Sequence, residues 1–138
     1  EWVPARAIAP AAEDGCVLRT GILLPVALVV AGCYGEEPPA RHRVIGGDPG
    51  AGGAVIAAHG CTACHQIPGV ALATGTVGPS LAGFGRRAYI AGRLPNRPMM
   101  LTAWLRDPPA IDPETAMPAL GLTETEALDV AAYLYTLR

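Results

Sequence analysis

The sequence predicts an all-α fold of three to four short helices joined by long loops. Two helix starts are marked by capping residues, at Asp48 and at Thr123, where a side-chain acceptor precedes the first helical turn. The connecting segments are rich in glycine and proline and show no alternation of apolar and polar residues that would indicate a sheet. Loops this long are uncommon in a compact domain unless a ligand organises them.

The first predicted helix begins at Pro49, behind the N-cap Asp48, and runs to about His59, with Gly60 ending it. Gly53 lies in its middle, where glycine is less favourable than alanine by about 1 kcal/mol. We therefore expect another helix to approach closely at Gly53.

Two more helices are predicted towards the C-terminus. One starts at Pro98, in a first-turn position, and runs to Arg106, where Asp107-Pro108-Pro109 stops it. The other covers residues 124–137, because a capping-box pattern is followed by apolar residues at helical spacing. The last helix is the expected partner of the first.

The pentapeptide Cys61-Thr62-Ala63-Cys64-His65 has the spacing of a c-type haem attachment site. Two thiols can add to the two vinyl groups of the porphyrin, and the next residue places its imidazole below the iron. A zinc site would need a second ligand pair, and a dithiol oxidoreductase would have a strand before the motif, whereas an alanine-rich helix is predicted here. The sequence therefore predicts one covalently bound haem c.

The sixth iron ligand decides the chemistry, because His/Met ligation suits electron transfer and an open position suits gas binding or peroxide activation. Three methionines are candidates, Met99, Met100 and Met117. Met99 and Met100 lie in a predicted helix, where methionine usually fills the core. Met117 lies in the proline-stiffened loop of residues 112–118, which favours it as the ligand.

Four motifs in fixed order resemble class I cytochromes c, from Asp48 to the C-terminus. They are the haem motif, Gly78-Pro79-Ser80-Leu81, Trp104-Leu105-Arg106-Asp107-Pro108 leading to Met117-Pro118, and Ala132-Tyr133-Leu134. The resemblance implies the cytochrome c fold, with short helices and long loops wrapped around one haem. It also implies that His65 is the proximal ligand, Met117 the distal ligand, and the carbonyl of Pro79 the acceptor for the His65 ring N–H. Gly53 would meet Tyr133 where the first and last helices cross.

The resemblance assigns further residues to the haem pocket. Thr115 and one or both of Arg86 and Arg87 correspond to haem-propionate partners, although a solvated loop would also explain the arginines. Trp104 either lines the pocket edge or belongs to the core. His59 is expected to end a helix and not to bind metal. The lysine ring of the mitochondrial members is missing, so their docking surface cannot be transferred to this chain.

The N-terminal third has a different composition. Residues 17–33 contain a short apolar run closed by Val30-Ala31-Gly32-Cys33, which resembles a bacterial lipobox with Cys33 as the lipidated residue. An ordinary cleavage site or an uncleaved anchor remain alternatives. Residues 1–16 are acidic for a signal peptide and are expected to be absent from the mature protein, through a start at Val17. Residues 34–47 are expected to form a flexible tether with a solvated His42, and residues 48–138 the haem domain.

The net charge of −2 gives no sign of nucleic-acid binding. We expect a non-enzymatic, one-electron carrier anchored on the periplasmic side of a bacterial cytoplasmic membrane. The resemblance implies a quinol-oxidising complex as donor and a haem-copper terminal oxidase as acceptor. Two alternatives remain: an electron-transfer subunit of a larger periplasmic oxidoreductase, and a ligand-binding sensor or peroxidase in which Met117 dissociates.

Overall fold

The computed structural model describes residues 42–138. Its regular elements, in chain order, are α1 (Pro49–Ala58), α2 (Cys61–Cys64), β1 (Tyr89–Ile90), β2 (Leu94–Pro95), α3 (Pro98–Arg106), α4 (Pro108–Ile111) and α5 (Glu124–Thr136), with a 3-10 turn at Phe84–Arg86 before β1. The predicted class of short helices with long loops is confirmed. Three small elements depart from the prediction: α2, which covers the cysteines of the pentapeptide, the antiparallel pair β1–β2, and α4, which lies in a segment predicted as loop.

Helix α1 begins and ends where the sequence indicates. The Asp48 carboxylate accepts a hydrogen bond from the Gly50 N–H at 2.8 Å, and Pro49 occupies the first turn. The Asp48 N–H in turn donates to the Asp129 carboxylate of α5 at 2.7 Å. After α1, Gly60 takes the left-handed conformation, with φ of 73°, and turns the chain into α2.

Helices α1 and α5 cross at two consecutive glycines. A Cβ on Gly53 would lie 3.2 Å from Cε2 of Tyr133, so the expected contact between these residues is confirmed. The approach is closer at the buried Gly52, where a Cβ would lie 2.7 Å from the carbonyl carbon of Asp129 and 2.9 Å from Cβ of Tyr133. Backbone therefore packs directly against backbone at Gly52.

Helix α5 carries the capping box that the sequence predicts. The Thr123 hydroxyl accepts a hydrogen bond from the Glu126 N–H at 3.3 Å, and the Glu126 carboxylate accepts one from the Thr123 N–H at 2.9 Å. Its buried face, including Val130 and Leu134, joins α1 and α3 in a single hydrophobic core. This core positions the walls of the site described below.

Asn96 joins the β1–β2 pair and the 3-10 turn to α5. Its buried amide donates to the carbonyls of Phe84 and Arg87 at 3.1 and 3.0 Å, and its oxygen accepts from the Tyr135 hydroxyl at 2.9 Å. Burial raises the pKa of Tyr135, so this hydroxyl remains a donor over the physiological range.

The expectation of a solvated His42 is wrong. Its side chain is only 4% exposed, and its ring stacks on Tyr135 with 4.5 Å between centroids and 13° between planes. The aromatic face of Tyr135 lies at the far end of the chain, so no local signal in the sequence marks this contact. The folded unit therefore already includes His42, within the segment expected to be a tether.

The predictions for residues 1–16, for residues 17–33 with Cys33, and for residues 34–41 lie outside the described residues. Between residues 42 and 138, no helix combines the length and the hydrophobicity needed to cross a membrane.

Candidate haem site

A cavity of about 310 Å³ lies between helices α1, α2, α3 and α5. Most of its lining side chains are apolar, and its fully buried walls include Ile56, Ile67, Phe84, Ile90, Leu101, Val130 and Leu134. A site of this composition accommodates an apolar group, with a few polar groups to orient it.

Both cysteines of the pentapeptide line this cavity from α2. Burial raises the pKa of the Cys61 thiol above its ordinary value of 9.0, so the thiol is protonated at neutral pH. A reactive dithiol has a lowered pKa instead, and this environment therefore disfavours the dithiol alternative. The zinc alternative would require at least three His, Cys, Asp or Glu side chains close enough to bind one metal ion. Residues 42–138 contain no such group.

His65 follows α2 directly and is held in one orientation. Its Nδ1 lies 2.8 Å from the carbonyl oxygen of Pro79, and since a carbonyl only accepts, Nδ1 must carry the proton. In the neutral ring this leaves the lone pair on the other nitrogen, Nε2, which is the atom able to bind a metal. The backbone of Gly78 packs against the ring, because a Cβ there would lie 2.6 Å from Nδ1 of His65.

Of the three methionines, all of which lie in the described part of the chain, Met117 alone lines the cavity. Met99 is 75% exposed, and Met100 packs against the hydrophobic core outside the cavity. The structure thus brings one thioether into the cavity that also contains His65.

The loop that carries Met117 is fixed by its own polar groups. The Thr115 hydroxyl accepts a hydrogen bond from the Met117 N–H at 3.2 Å, and the Asp112 carbonyl accepts one from the Thr115 N–H at 3.0 Å. Arg93, in the turn between β1 and β2, forms an ion pair with Asp112 at 3.3 Å. The loop is therefore connected to a neighbouring element of the fold.

The remaining residues assigned by resemblance fall into two groups. Trp104 and Thr115 line the cavity, and Trp104 is also buried in the core. Arg87 lines the cavity as well and donates to the carbonyls of Ser80 and Ala82, the latter at 3.1 Å. Arg86 is exposed and is not part of the lining. The structure thus distinguishes between two arginines that the sequence left equivalent.

His59 caps the end of α1, as expected. Its Nδ1 lies 3.3 Å from the Leu120 carbonyl, and its Nε2 lies 3.2 Å from the Glu126 carboxylate. It connects α1 to the capping box of α5 and does not line the cavity.

Sequence reasoning assigned no role to two glycines that shape the site. Gly78 supports the His65 ring, and Gly75 packs against the Cys61–Cys64 helix, where a Cβ would lie 2.5 Å from the carbonyl carbon of Ala63. Gly78 belongs to the motif Gly78-Pro79-Ser80-Leu81 and Gly75 lies three residues before it, so their proximity to this motif was the available signal.

Two thiols, an oriented imidazole and a thioether around one apolar cavity fit a covalently attached haem. The sequence matches the family model described as Cytochrome c over residues 50–138. It is also 37% identical over 86 residues to cytochrome c oxidase subunit 2 of Alkalihalophilus pseudofirmus, a match that covers 61% of this chain and 24% of that protein. The chain therefore belongs to the cytochrome c family, the electron-transfer proteins that bind haem c covalently.

Proposed function

We propose that this protein is a one-electron carrier in which His65 and Met117 are the two axial ligands of the haem iron. The observation that carries the proposal is the placement of one thioether, from Met117, in the same cavity as the His65 imidazole. His/Met ligation leaves no open position at the iron and suits electron transfer. A carrier of this kind transforms no substrate, so we propose no enzymatic activity for the protein by itself.

The residues that line the cavity would divide this function among them. A bound haem would supply a one-electron redox centre. Cys61 and Cys64 hold the group in place, and Pro79 fixes the tautomer of His65 through Nδ1. The soft thioether of Met117 favours the ferrous state, and the apolar walls exclude water, which also raises the potential. Arg87, which lines the cavity, would supply positive charge for a haem propionate.

The proposed setting is a respiratory chain on the periplasmic side of a bacterial cytoplasmic membrane. A quinol-oxidising complex would be the donor and a haem-copper oxidase the acceptor, with Cys33 or its apolar segment as the anchor. The similarity to a cytochrome c oxidase subunit supports the respiratory context, and the lipobox-like sequence supports the anchor. Globomycin sensitivity of processing, or a diacylglycerol mass shift on Cys33, tests the anchor separately.

A second candidate is an electron-transfer subunit within a larger oxidoreductase. It is favoured by the relative, in which the matching region makes up 24% of a longer chain named as an oxidase subunit. Purification of the native protein decides between the two: a stable complex of fixed stoichiometry indicates a subunit, and a separate cytochrome indicates a carrier.

Carbon monoxide tests the carrier proposal against sensing or peroxide chemistry. The reduced wild-type protein should not bind carbon monoxide at neutral pH, because Met117 occupies the sixth position. Met117→Ala is the matched control and should bind it. Uptake by the wild-type protein would indicate that the iron has an open position, and the sensor or peroxidase alternative would replace the carrier.

A further inference from the structure

We propose that the mouth of the haem cavity is an uncharged docking surface for a redox partner whose own contact surface is uncharged and apolar. This inference deepens the proposed function and rests on it. It concerns six residues that line the cavity and are also exposed, which we call the mouth residues: Gly60, Val77, Pro79, Ala91, Ala116 and Pro118.

The mouth residues come from charge-free parts of the sequence. Residues 49–85 contain no Asp, Glu, Lys or Arg, and neither do residues 88–92 or 115–123. Arg87 is the one charged lining residue besides the titratable His65, and its guanidinium is engaged by the carbonyls of Ser80 and Ala82. A charged partner would find no opposite charges among the mouth residues.

Val77 gives the mouth its apolar character. Its side chain is 81% exposed although it lines the cavity. The segment around it is held against the haem motif, because the Gly75 N–H donates to the Thr62 carbonyl at 3.2 Å and the Gly78 N–H to the Cys64 carbonyl at 2.8 Å. The surface is therefore formed before a partner arrives, which lowers the entropic cost of docking.

Charge complementarity identifies the partner's chemistry. A ring of lysines or carboxylates on the partner would lose hydration against this mouth without gaining a counter-ion, and that cost is not repaid. An apolar, uncharged surface has no charged groups to dehydrate, and its burial is favourable because apolar area is removed from water. Association should then depend little on salt, since the mouth residues themselves carry no charge that salt could screen.

A second copy of this chain in the other oxidation state is the simplest partner of this chemistry and serves as the probe. One electron passes from the ferrous iron of one copy to the ferric iron of the other, so that one iron is oxidised and the other reduced and no bond forms or breaks. The rate of this self-exchange is measured by NMR line broadening in mixtures of the two forms of the haem-loaded protein.

We expect the wild-type rate to change by less than about twofold between ionic strengths of about 0.01 and 0.5 M. Val77→Glu should slow self-exchange by about tenfold or more, because each contact would bury an unpaired carboxylate. Val77→Thr retains the shape without a charge and should exchange like the wild type. Ile45→Glu is the control for added charge: Ile45 is 88% exposed, lies outside the cavity lining and should tolerate the change.

A wild-type rate that changes by an order of magnitude with salt would overturn the proposal, as would equal slowing by Val77→Glu and Ile45→Glu. Failure of the proposed electron-carrier function can be told apart from failure of the docking surface, because it appears as carbon monoxide uptake by the wild-type protein. A second readout uses no electron transfer: in a concentration series of the fully reduced protein, amide NMR shifts should move at the mouth residues. Shifts centred on Ile45 would contradict the proposal.

Discussion

The packing of α1 on α5 gives a sharp prediction, because two adjacent glycines differ in what a methyl group would meet. At Gly52 an added Cβ would lie 2.7 Å from the carbonyl carbon of Asp129 and 2.9 Å from Cβ of Tyr133. At Gly53 the nearest atom is Cε2 of the Tyr133 ring, at 3.2 Å. We therefore expect Gly52→Ala to destabilise the protein strongly and Gly53→Ala to have little effect.

The magnitudes follow from two opposing terms. Alanine is favoured over glycine inside a helix by about 1 kcal/mol, and both substitutions gain this. Overpacking costs about 1–3 kcal/mol, and Gly52 should be at the upper end because its neighbours include backbone that cannot rotate away. The net loss for Gly52→Ala is about 2 kcal/mol. For Gly53→Ala the ring can shift slightly, so the two terms cancel to within about 1 kcal/mol.

Chemical denaturation of the haem-loaded proteins, followed by far-ultraviolet circular dichroism, measures both variants. In thermal denaturation of a domain of this size, the same loss of about 2 kcal/mol lowers Tm by about 8–16 °C. A Gly52→Ala protein as stable as Gly53→Ala would refute the reasoning, since it would mean that α1 and α5 do not approach as closely as the structure shows.

Three further predictions concern the capping box, the histidine support and the buried amide. Hydrogen bonds from the Thr123 backbone and hydroxyl, and then from His59, lower the pKa of Glu126 from 4.5 to about 2. The stability that the ionised Glu126 carboxylate gives to the folded protein is therefore complete above pH 4.5 and is lost as the pH falls towards about 2. Glu126→Gln should remove that part of the pH dependence in acid titrations of stability, and an unchanged profile would count against the capping role. Gly78→Ala should displace the His65 ring and cost about 2 kcal/mol, and unchanged ring-proton NMR shifts in the ferric protein would argue against the contact. Asn96→Ala should cost about 2–3 kcal/mol in denaturant unfolding, because it leaves buried partners unsatisfied; a loss below about 0.5 kcal/mol would show that these bonds contribute little.

The sequence predicted those features that depend on local signals. Asp48, Thr123 and Pro98 each mark a helix start through capping or proline geometry, and all three helices begin where these residues indicate. Helices α2 and α4 were missed because each is only four residues long. In addition, α4 begins with two prolines, a pattern that also describes a loop.

Features that depend on contacts between distant segments could not be predicted in the same way. The stacking of His42 on Tyr135 joins the two ends of the folded unit, and no periodicity marks it. Gly52 and Gly53 are equivalent in sequence, and only the position of α5 separates a buried backbone contact from a ring-edge contact. Arg86 and Arg87 are likewise adjacent, and the 3-10 turn determines which of them reaches the cavity.

The measurement that tests the central claim most directly is the near-infrared spectrum of the ferric protein, where ligation of sulfur to iron gives a weak charge-transfer band. The wild-type protein and the double variant Met99→Ala, Met100→Ala should both show this band, and Met117→Ala should lack it. Absence of the band from the wild-type protein, or its persistence in Met117→Ala, would contradict the assignment of Met117 as the iron ligand and with it the proposed function.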